Sequence, residues 1–322
     1  VSPNKNTPSL KQKIKSVLHW KGYRFESKFN RSFFDDADYE VKVLDTCRSV
    51  TEYDVPDADV VIATFWNTAE WMATIPESKG KKVYFIQGYE THPWLPVDRV
   101  KATYKLPYKK IVVAQWLKAI MENEYQQKSV ITVSNAVDHT IFNATVRGKN
   151  ENPTFGMIYS NRAIKGSGLA FDRFRELHEQ HPGIRLIVFG VESPDDVVGL
   201  PKGAEYFCQP EQKSIRDIYS QCDAWLFTSS SEGFGLPILE AMACRTPVIG
   251  TRCGAAPDLL ASGGGILVNV EDSHGLLSAM TKLCLMSGDE WSLMSNLAYK
   301  EAKSHDWEDK AKKFEQVLLN EE

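Results

Sequence analysis

The stretch AWLFTSSSEGFGLPILEAMACRTPVIG, residues 224–250, holds a strand–turn–helix–strand pattern within 27 residues. A first apolar run ends at residue 229, and a second begins at residue 247. Pro237 suits the first turn of a helix, because the N–H group that proline lacks would have no partner there. Residues 230–236 are therefore predicted to form the turn between a buried strand and the helix that follows it.

This turn has the features of an anion-binding site. Gly233 and Gly235 lack a Cβ, so a ligand can approach the backbone N–H groups closely. The helix N-terminus behind them carries about half a positive charge. Glu240 lies one turn inside the helix, where a carboxylate can accept hydrogen bonds from ribose hydroxyls. Glu232 on the turn can hold a second polyol, so the pattern predicts a nucleoside-diphosphate sugar as ligand. The alternative interpretation is that both glutamates only favour the helix N-terminus electrostatically.

Short apolar runs alternate with helix-period segments on both sides of this stretch. In the first half, six strands are predicted, over residues 14–20, 39–45, 59–65, 82–88, 110–115 and 129–135. A polar segment at 143–153 interrupts the pattern, which restarts at residue 155 and continues to a last helix over 307–319. Strands that are apolar on both faces and joined by helices are typical of parallel sheets. The sequence thus predicts two doubly wound α/β domains, with ligands bound in the cleft between them.

Length and composition agree with two domains and exclude several classes of protein. The chain has 322 residues, which is long for one hydrophobic core. Residues 1–150 hold 22 Lys and Arg against 17 Asp and Glu, and the remainder holds 16 against 25. The net charge of the whole chain is too small to indicate nucleic-acid binding. The six cysteines include no Cys-x-x-Cys pair. The sequence also shows no signal-peptide core and no long apolar run. These features predict a cytoplasmic protein.

Four segments carry a resemblance to a known family. SEGFGLPILEAMACRTPVIG (231–250) resembles the Glu-x7-Glu signature of glycosyltransferase family 4, the group 1 glycosyltransferases of GT-B fold. The other three resemble further segments of that family: VSNAVDHTIF (133–142), FGMIYSNRAIKGSGLAFDRF (155–174) and HDWEDKAKKF (305–314).

The resemblance implies a fold and a division of the chain. The fold is α/β of GT-B type, in which two Rossmann-like doubly wound domains face a central cleft. Residues 1–148 would form the acceptor-side domain, and residues 149–305 would form the domain that binds the nucleotide-sugar donor. A helix over 306–322 would pack back on the first domain.

The resemblance also implies roles for single residues. Glu240 would bind the donor ribose, while Arg162 and Lys165 would neutralise the diphosphate. The segment around Cys208 and Gln209 would meet the nucleobase. The donor sugar and distal phosphate would be held by the turn itself: Glu232, Gly233, Phe234, Gly235 and Leu236. Two cations and the helix end offset a diphosphate of about −2 without a metal, so no cofactor is expected.

Members of this family are retaining transferases, so the resemblance implies transfer with retention to a hydroxyl of a glycan or lipid-linked acceptor. Cell-surface polysaccharide or glycolipid synthesis is the expected setting. The enzyme would stabilise the departing diphosphate and position the acceptor. Four first-domain residues are candidates for the acceptor side: Gly22, Gln87, Glu90 and His92.

Two further patterns and two other functions remain open. Residues 99–110 hold five basic residues and no acid, and with the apolar residues from 94 they could dock on the anionic inner face of the cytoplasmic membrane. The alternative for this segment is a solvated helix face.

Two Asp-x-Asp triplets, Asp36–Asp38 and Asp57–Asp59, resemble a metal-binding motif but are interpreted as polar residues without a ligand. The alternative functions are a nucleotide-sugar epimerase or hydrolase, and a non-catalytic glycan-binding module.

Overall fold

The computed structural model describes residues 38–44, 46 and 48–319. Within them, ten strands form two parallel sheets: β1 Val60–Ala63, β2 Lys81–Ile86, β3 Lys109–Val112, β4 Val130–Thr132, β5 Thr154–Ile158, β6 Arg185–Gly190, β7 Glu205–Cys208, β8 Ala224–Phe227, β9 Val248–Thr251 and β10 Gly265–Val268. The α-helices of this part of the chain are α1 Trp66–Met72, α2 Val97–Tyr104, α3 Gln115–Asn123, α4 Ser167–Gln180, α5 Gln212–Gln221, α6 Leu236–Ala243, α7 Ala256–Leu259, α8 Ser273–Leu285, α9 Gly288–Lys303 and α10 Trp307–Leu319.

The first sheet has the order β1-β2-β3-β4, and all its pairs are parallel. The prediction of a strand over 39–45 is wrong for the residues described, since 38–44 contain no strand and Val43 is 81% exposed. Alternating β-branched residues favour a strand, but a strand forms only where a neighbour pairs with it and buries one face. The predicted strand at 14–20 and the candidate Gly22 lie outside the described residues.

The second sheet has the order β10-β9-β8-β5-β6-β7, again with parallel pairs throughout. Its order reverses between β5 and β8, which is the switch point of a doubly wound sheet. Large side chains fill both faces, among them Phe155 on β5 and Trp225 on β8. The prediction of two parallel α/β sheets is confirmed.

Local sequence signals explain where several helices begin. Leu236–Ala243 consists mainly of good helix formers, with a proline in its first turn. The Asp272 side chain caps α8 by accepting a hydrogen bond from the Gly275 N–H at 2.8 Å. Ser287 and Glu290 form a capping box at the start of α9.

The polar segment at 143–153 is tied to the second sheet through Asp223. The Asp223 side chain is fully buried and accepts hydrogen bonds from the backbone N–H groups of Asn150 and Thr154, at 2.9 and 2.8 Å. Arg147 forms an ion pair with the same carboxylate at 3.2 Å, and its guanidinium lies over the Trp291 ring. A buried carboxylate with three donors holds this crossing segment in place.

The last helix, α10, lies against the first sheet. Phe314 packs edge-on against Phe85 of β2, with ring centroids 5.0 Å apart. Val317 joins a small buried cluster with Val83 and Ile111 of the same sheet. The Lys109 ammonium donates to the Val317 carbonyl at 2.7 Å. The first sheet is thus covered by a helix that follows the whole second sheet in the chain.

At least two of the five basic residues in segment 99–110 are buried or paired with an acid. Lys110 is buried, and its ammonium donates to the Leu106 carbonyl and to Gln127 Oε1, both at 2.7 Å. Arg99 pairs with Glu70 across the α1–α2 contact. Lys110 therefore adds no charge to the surface, and membrane docking through residues 94–110 stays a prediction. Among the described helices, none combines the length and apolar character needed to cross a membrane.

Candidate functional site

The candidate site lies at the switch point, where the loops after β5 and β8 meet. The Ser230 N–H donates to the Ile164 carbonyl at 2.7 Å, and the Thr228 hydroxyl donates to the Lys165 carbonyl at 3.1 Å. Gly166 has φ +69°, and a Cβ there would lie 2.2 Å from the Thr228 carbonyl oxygen. The two loops are thus joined over their length, and Lys165 is fixed beside the glycine turn.

Lys165 and Glu232, both predicted site residues, form an ion pair. The Lys165 Nζ lies 2.5 Å from Glu232 Oε1, and the Ser229 hydroxyl donates to the same oxygen at 2.7 Å. Both side chains of the ion pair are partly exposed. The pair reduces the net positive charge of the site, because the Glu232 carboxylate cancels one of the two cations assigned to the diphosphate. What remains is one cation and the helix end.

The turn before α6 presents backbone N–H groups that have no acceptor. Gly235 has φ +100°, which favours glycine, and the helix starts directly after it. The Phe234 carbonyl accepts from the Ala255 N–H at 2.8 Å. Within the described part of the chain, the N–H groups of Phe234 and Gly235 donate to no protein group. An anion at this helix N-terminus can therefore be bound by N–H groups that are still free.

Glu240, one turn further along α6, is held by a buried tyrosine. The Tyr219 hydroxyl donates to Glu240 Oε2 at 2.8 Å, and Tyr219 itself is fully buried. Burial raises the pKa of Glu240, while the hydrogen bond from Tyr219 lowers it. The carboxylate is thus fixed in orientation and keeps acceptor capacity for further hydroxyl groups.

The remaining donor-side candidates lie around this corner. Arg162 is exposed and has no ion-pair partner among the residues described. Cys208 ends β7 and Gln209 follows it. This strand is three strands from β8 and so about 14 Å away along the same sheet edge. The Gln209 side chain donates to the Val191 carbonyl at 2.9 Å. Leu236 is the exposed first residue of α6.

The first domain touches the turn at the end of β2. A Cβ on Gly233 would lie 1.8 Å from the Gln87 carbonyl oxygen and 3.2 Å from the Gly88 Cα. The Trp116 indole N–H donates to the Gly233 carbonyl at 2.9 Å. The structure thus brings the acceptor-side candidate Gln87 next to the donor-side turn, although its contact with the turn is made by backbone.

Among the described residues, neither Glu90 nor His92 forms a hydrogen bond with the turn at Gly233. One Glu90 oxygen accepts from the Trp66 N–H at 2.9 Å, so it satisfies a free N–H group at the start of α1. Burial raises the pKa of Glu90 to about 7. The His92 ring stacks on Trp94, with centroids 4.5 Å apart and planes 7° from parallel.

Three residues of the site have no counterpart among the sequence-based candidates. Ser229 could have been found, because it lies three residues before Glu232 in a polar turn. Tyr219 and Trp116 carry no such signal, since they contact residues 21 and 117 positions away. In the part of the chain that is described, no group of three or more His, Cys, Asp or Glu side chains could hold a metal ion.

Comparison with known proteins supports the resemblance over the second half of the chain. The model of the family "Glycosyl transferases group 1" matches residues 153–285. D-inositol 3-phosphate glycosyltransferase of Corynebacterium urealyticum is 26% identical over 174 residues, which are 49% of this chain and 41% of that protein. The enzyme of the same name from Actinosynnema mirum is 31% identical over 149 residues, which are 41% of this chain and 36% of that protein. The chain thus spans less than half the length of these relatives.

Solved structures agree on the architecture. HepE of Anabaena in complex with UDP has a TM-score of 0.69 at 17% identity, over 81% of this chain and 78% of that one. At this identity the similarity shows the fold alone. The family match covers the loops that hold Lys165, Glu232 and Glu240, and the two parallel sheets supply the architecture. The resemblance seen in the sequence is confirmed over residues 153–285, which match the family of group 1 glycosyltransferases, and the fold is GT-B.

Proposed function

We propose that this protein is a retaining glycosyltransferase that moves a sugar from a nucleoside-diphosphate donor to a hydroxyl acceptor without a metal ion. The observation that carries the proposal is the corner between β8 and α6. There Lys165, Glu232 and the free N–H groups of Phe234 and Gly235 lie together, with Glu240 one helical turn away. The relatives named as glycosyltransferases support the reaction class, and HepE, solved with UDP-glucose, supports a nucleotide-sugar donor.

Each group has a separate task in this proposal. The Phe234 and Gly235 N–H groups and the Lys165 ammonium bind the diphosphate, and Arg162 approaches it from the exposed side. Glu240 accepts hydrogen bonds from the ribose, and the free oxygen of Glu232 accepts from hydroxyls of the sugar. None of these contacts involves the nucleobase, so they are compatible with donors of more than one base.

Transfer then depends mainly on charge stabilisation at the leaving group. The bond between the anomeric carbon and the diphosphate oxygen breaks, and its electron pair stays on the diphosphate. Fixed N–H groups and a cation aimed at that oxygen stabilise the charge as it develops. The acceptor hydroxyl attacks from the same face, and its proton passes to the departing diphosphate oxygen. Retention of configuration follows from that geometry.

Binding measurements with a donor panel test the proposal. Calorimetry with UDP-, GDP- and ADP-sugars in the presence of EDTA should show binding of at least one donor. Lys165→Met should weaken that binding by about 10- to 100-fold, the usual worth of a hydrogen bond to a charged group. Lys202→Met, an exposed loop residue, is the matched control and should leave affinity unchanged.

The reaction itself needs a second measurement. Release of nucleotide from the bound donor should depend on an added hydroxyl acceptor. Release at the same rate without acceptor would indicate a hydrolase and contradict the proposal. If no member of the panel binds, the nucleotide-sugar assignment is wrong as a whole.

A further inference from the structure

The turn to which we assign the donor diphosphate is held partly by the first domain. Trp116 is the second residue of α3 in the first domain, and its indole N–H donates to the Gly233 carbonyl at 2.9 Å. On its other side, Gly233 lies so close to the end of β2 that a Cβ would sit 1.8 Å from the Gln87 carbonyl oxygen. Two different elements of the first domain therefore fix one peptide of the second.

The geometry of the peptide bond transmits this contact to the donor side. The Gly233 carbonyl and the Phe234 N–H belong to one planar trans peptide and point in opposite directions. Fixing the carbonyl on Trp116 therefore fixes the direction of the Phe234 N–H. In the next peptide, the Phe234 carbonyl accepts from the Ala255 N–H of the second domain, which fixes the Gly235 N–H in the same way. One free N–H group is thus oriented by each domain.

We propose that Trp116 is a positioning residue that orients the Phe234 N–H toward the donor diphosphate and so couples diphosphate binding to docking of the first domain. This inference rests on the proposed function, since it assumes that the diphosphate binds at this turn. Coupling between two binding events is reciprocal. A bound diphosphate, by holding the Phe234 N–H, strengthens the Trp116–Gly233 contact, and that contact strengthens diphosphate binding.

The variant Trp116→Phe tests the role of the indole N–H, because it keeps an aromatic ring and removes the donor. The probes are UDP, GDP and ADP, and the nucleoside of whichever diphosphate binds best. We expect the affinity for that diphosphate to fall by about 3- to 10-fold, the effect of one neutral hydrogen bond. The affinity for the nucleoside, measured by displacement, should not change, whereas a general structural defect would lower both. Trp307→Phe is the matched control, since Trp307 is a half-exposed indole on α10. Equal diphosphate affinity in wild type and Trp116→Phe would overturn the proposal.

Hydrogen exchange on the wild-type protein tests the same coupling without a substitution. The diphosphate should slow amide exchange in residues 230–240 and also in residues 109–123, which include Trp116. Protection of 230–240 alone would overturn the coupling and leave the proposed function intact. Protection of neither segment would contradict the proposed function itself.

Discussion

The Tyr219 hydroxyl donates a hydrogen bond to Glu240 Oε2 at 2.8 Å from a side chain that is fully buried. The contact joins α5 to α6 and determines which way the Glu240 carboxylate faces. Burial raises the pKa of Glu240, and this hydrogen bond opposes the rise. The acceptor capacity of Glu240 for a ribose therefore depends on a residue that touches no donor itself.

Tyr219→Phe should weaken nucleotide binding in a pH-dependent way. Without the hydroxyl, the pKa of Glu240 rises further, so more of the carboxyl is protonated as the pH falls. A protonated carboxyl accepts fewer hydrogen bonds, and we expect about a 3- to 10-fold loss of affinity at pH 7. The loss should be larger at pH 6 than at pH 8 when measured by calorimetry. Tyr53→Phe, an exposed tyrosine, is the control. A loss that is the same at every pH would show that Tyr219 acts by orienting Glu240 and not through its pKa.

Glu90 should make the stability of the protein depend on pH. Its pKa is raised from 4.5 to about 7 by burial, so the folded state binds more protons than the unfolded chain between those values. The free energy of unfolding should therefore fall as the pH rises from about 4.5 to 7. Each pKa unit corresponds to about 1.4 kcal/mol. Glu90→Gln keeps an acceptor for the Trp66 N–H without a charge, so it should lose less stability between pH 5 and pH 8.

Urea unfolding of both proteins at pH 5 and pH 8 measures this difference. Glu151→Gln, an exposed residue, should follow the wild type. If Glu90→Gln and wild type lose the same stability over that range, Glu90 is ionised with its usual pKa.

Gly233→Ala should disturb the contact between the domains. An alanine Cβ would lie 1.8 Å from the Gln87 carbonyl oxygen, so the end of β2 must move away. We expect a loss of about 2 kcal/mol in the free energy of unfolding and weaker nucleotide binding. Gly288→Ala has no atom within 4 Å of its Cβ and is the control. Stability equal to wild type would mean that the two domains separate at this point without cost.

Asp223→Asn should destabilise the protein by about 3 kcal/mol in urea unfolding. Three donors converge on the buried carboxylate, from Asn150, Thr154 and Arg147. An amide replaces one acceptor oxygen by a donor and leaves one of these groups unpaired. Asp217→Asn, mostly exposed on α5, should change stability by less than about 0.5 kcal/mol. Equal effects of the two substitutions would show that the crossing segment does not depend on Asp223.

Most of the fold could be predicted from the sequence, because the core strands are short apolar runs with helices between them. Strand β7 was not predicted. Its residues are half-exposed or exposed, so the strand shows neither an apolar run nor a clear alternation. Helix α2 agrees with the alternative of a helix for part of 99–110, but the burial of Lys110 was not foreseen. Lys110 is buried there through contacts with Leu106 and Gln127. Such burial depends on tertiary structure and leaves no local pattern.

Some residues of the candidate site could also be predicted from the sequence, and others could not. Glu232, Lys165 and Glu240 lie where chain spacing places them, because a strand end and a helix start determine their positions. Whether they act on a donor stays a prediction. Trp116 and Tyr219 were not foreseen, since their contacts depend on how one domain meets the other and on how α5 packs beside α6.

The position of α10 on the first sheet has a consequence for biosynthesis. Residues 307–319 cover Phe85, Val83 and Ile111, yet they leave the ribosome only after residues 149–305 have been made. The second sheet can therefore complete its core during translation, while one apolar face of the first stays uncovered until later. Chaperones that bind apolar surfaces should meet the nascent chain at this face.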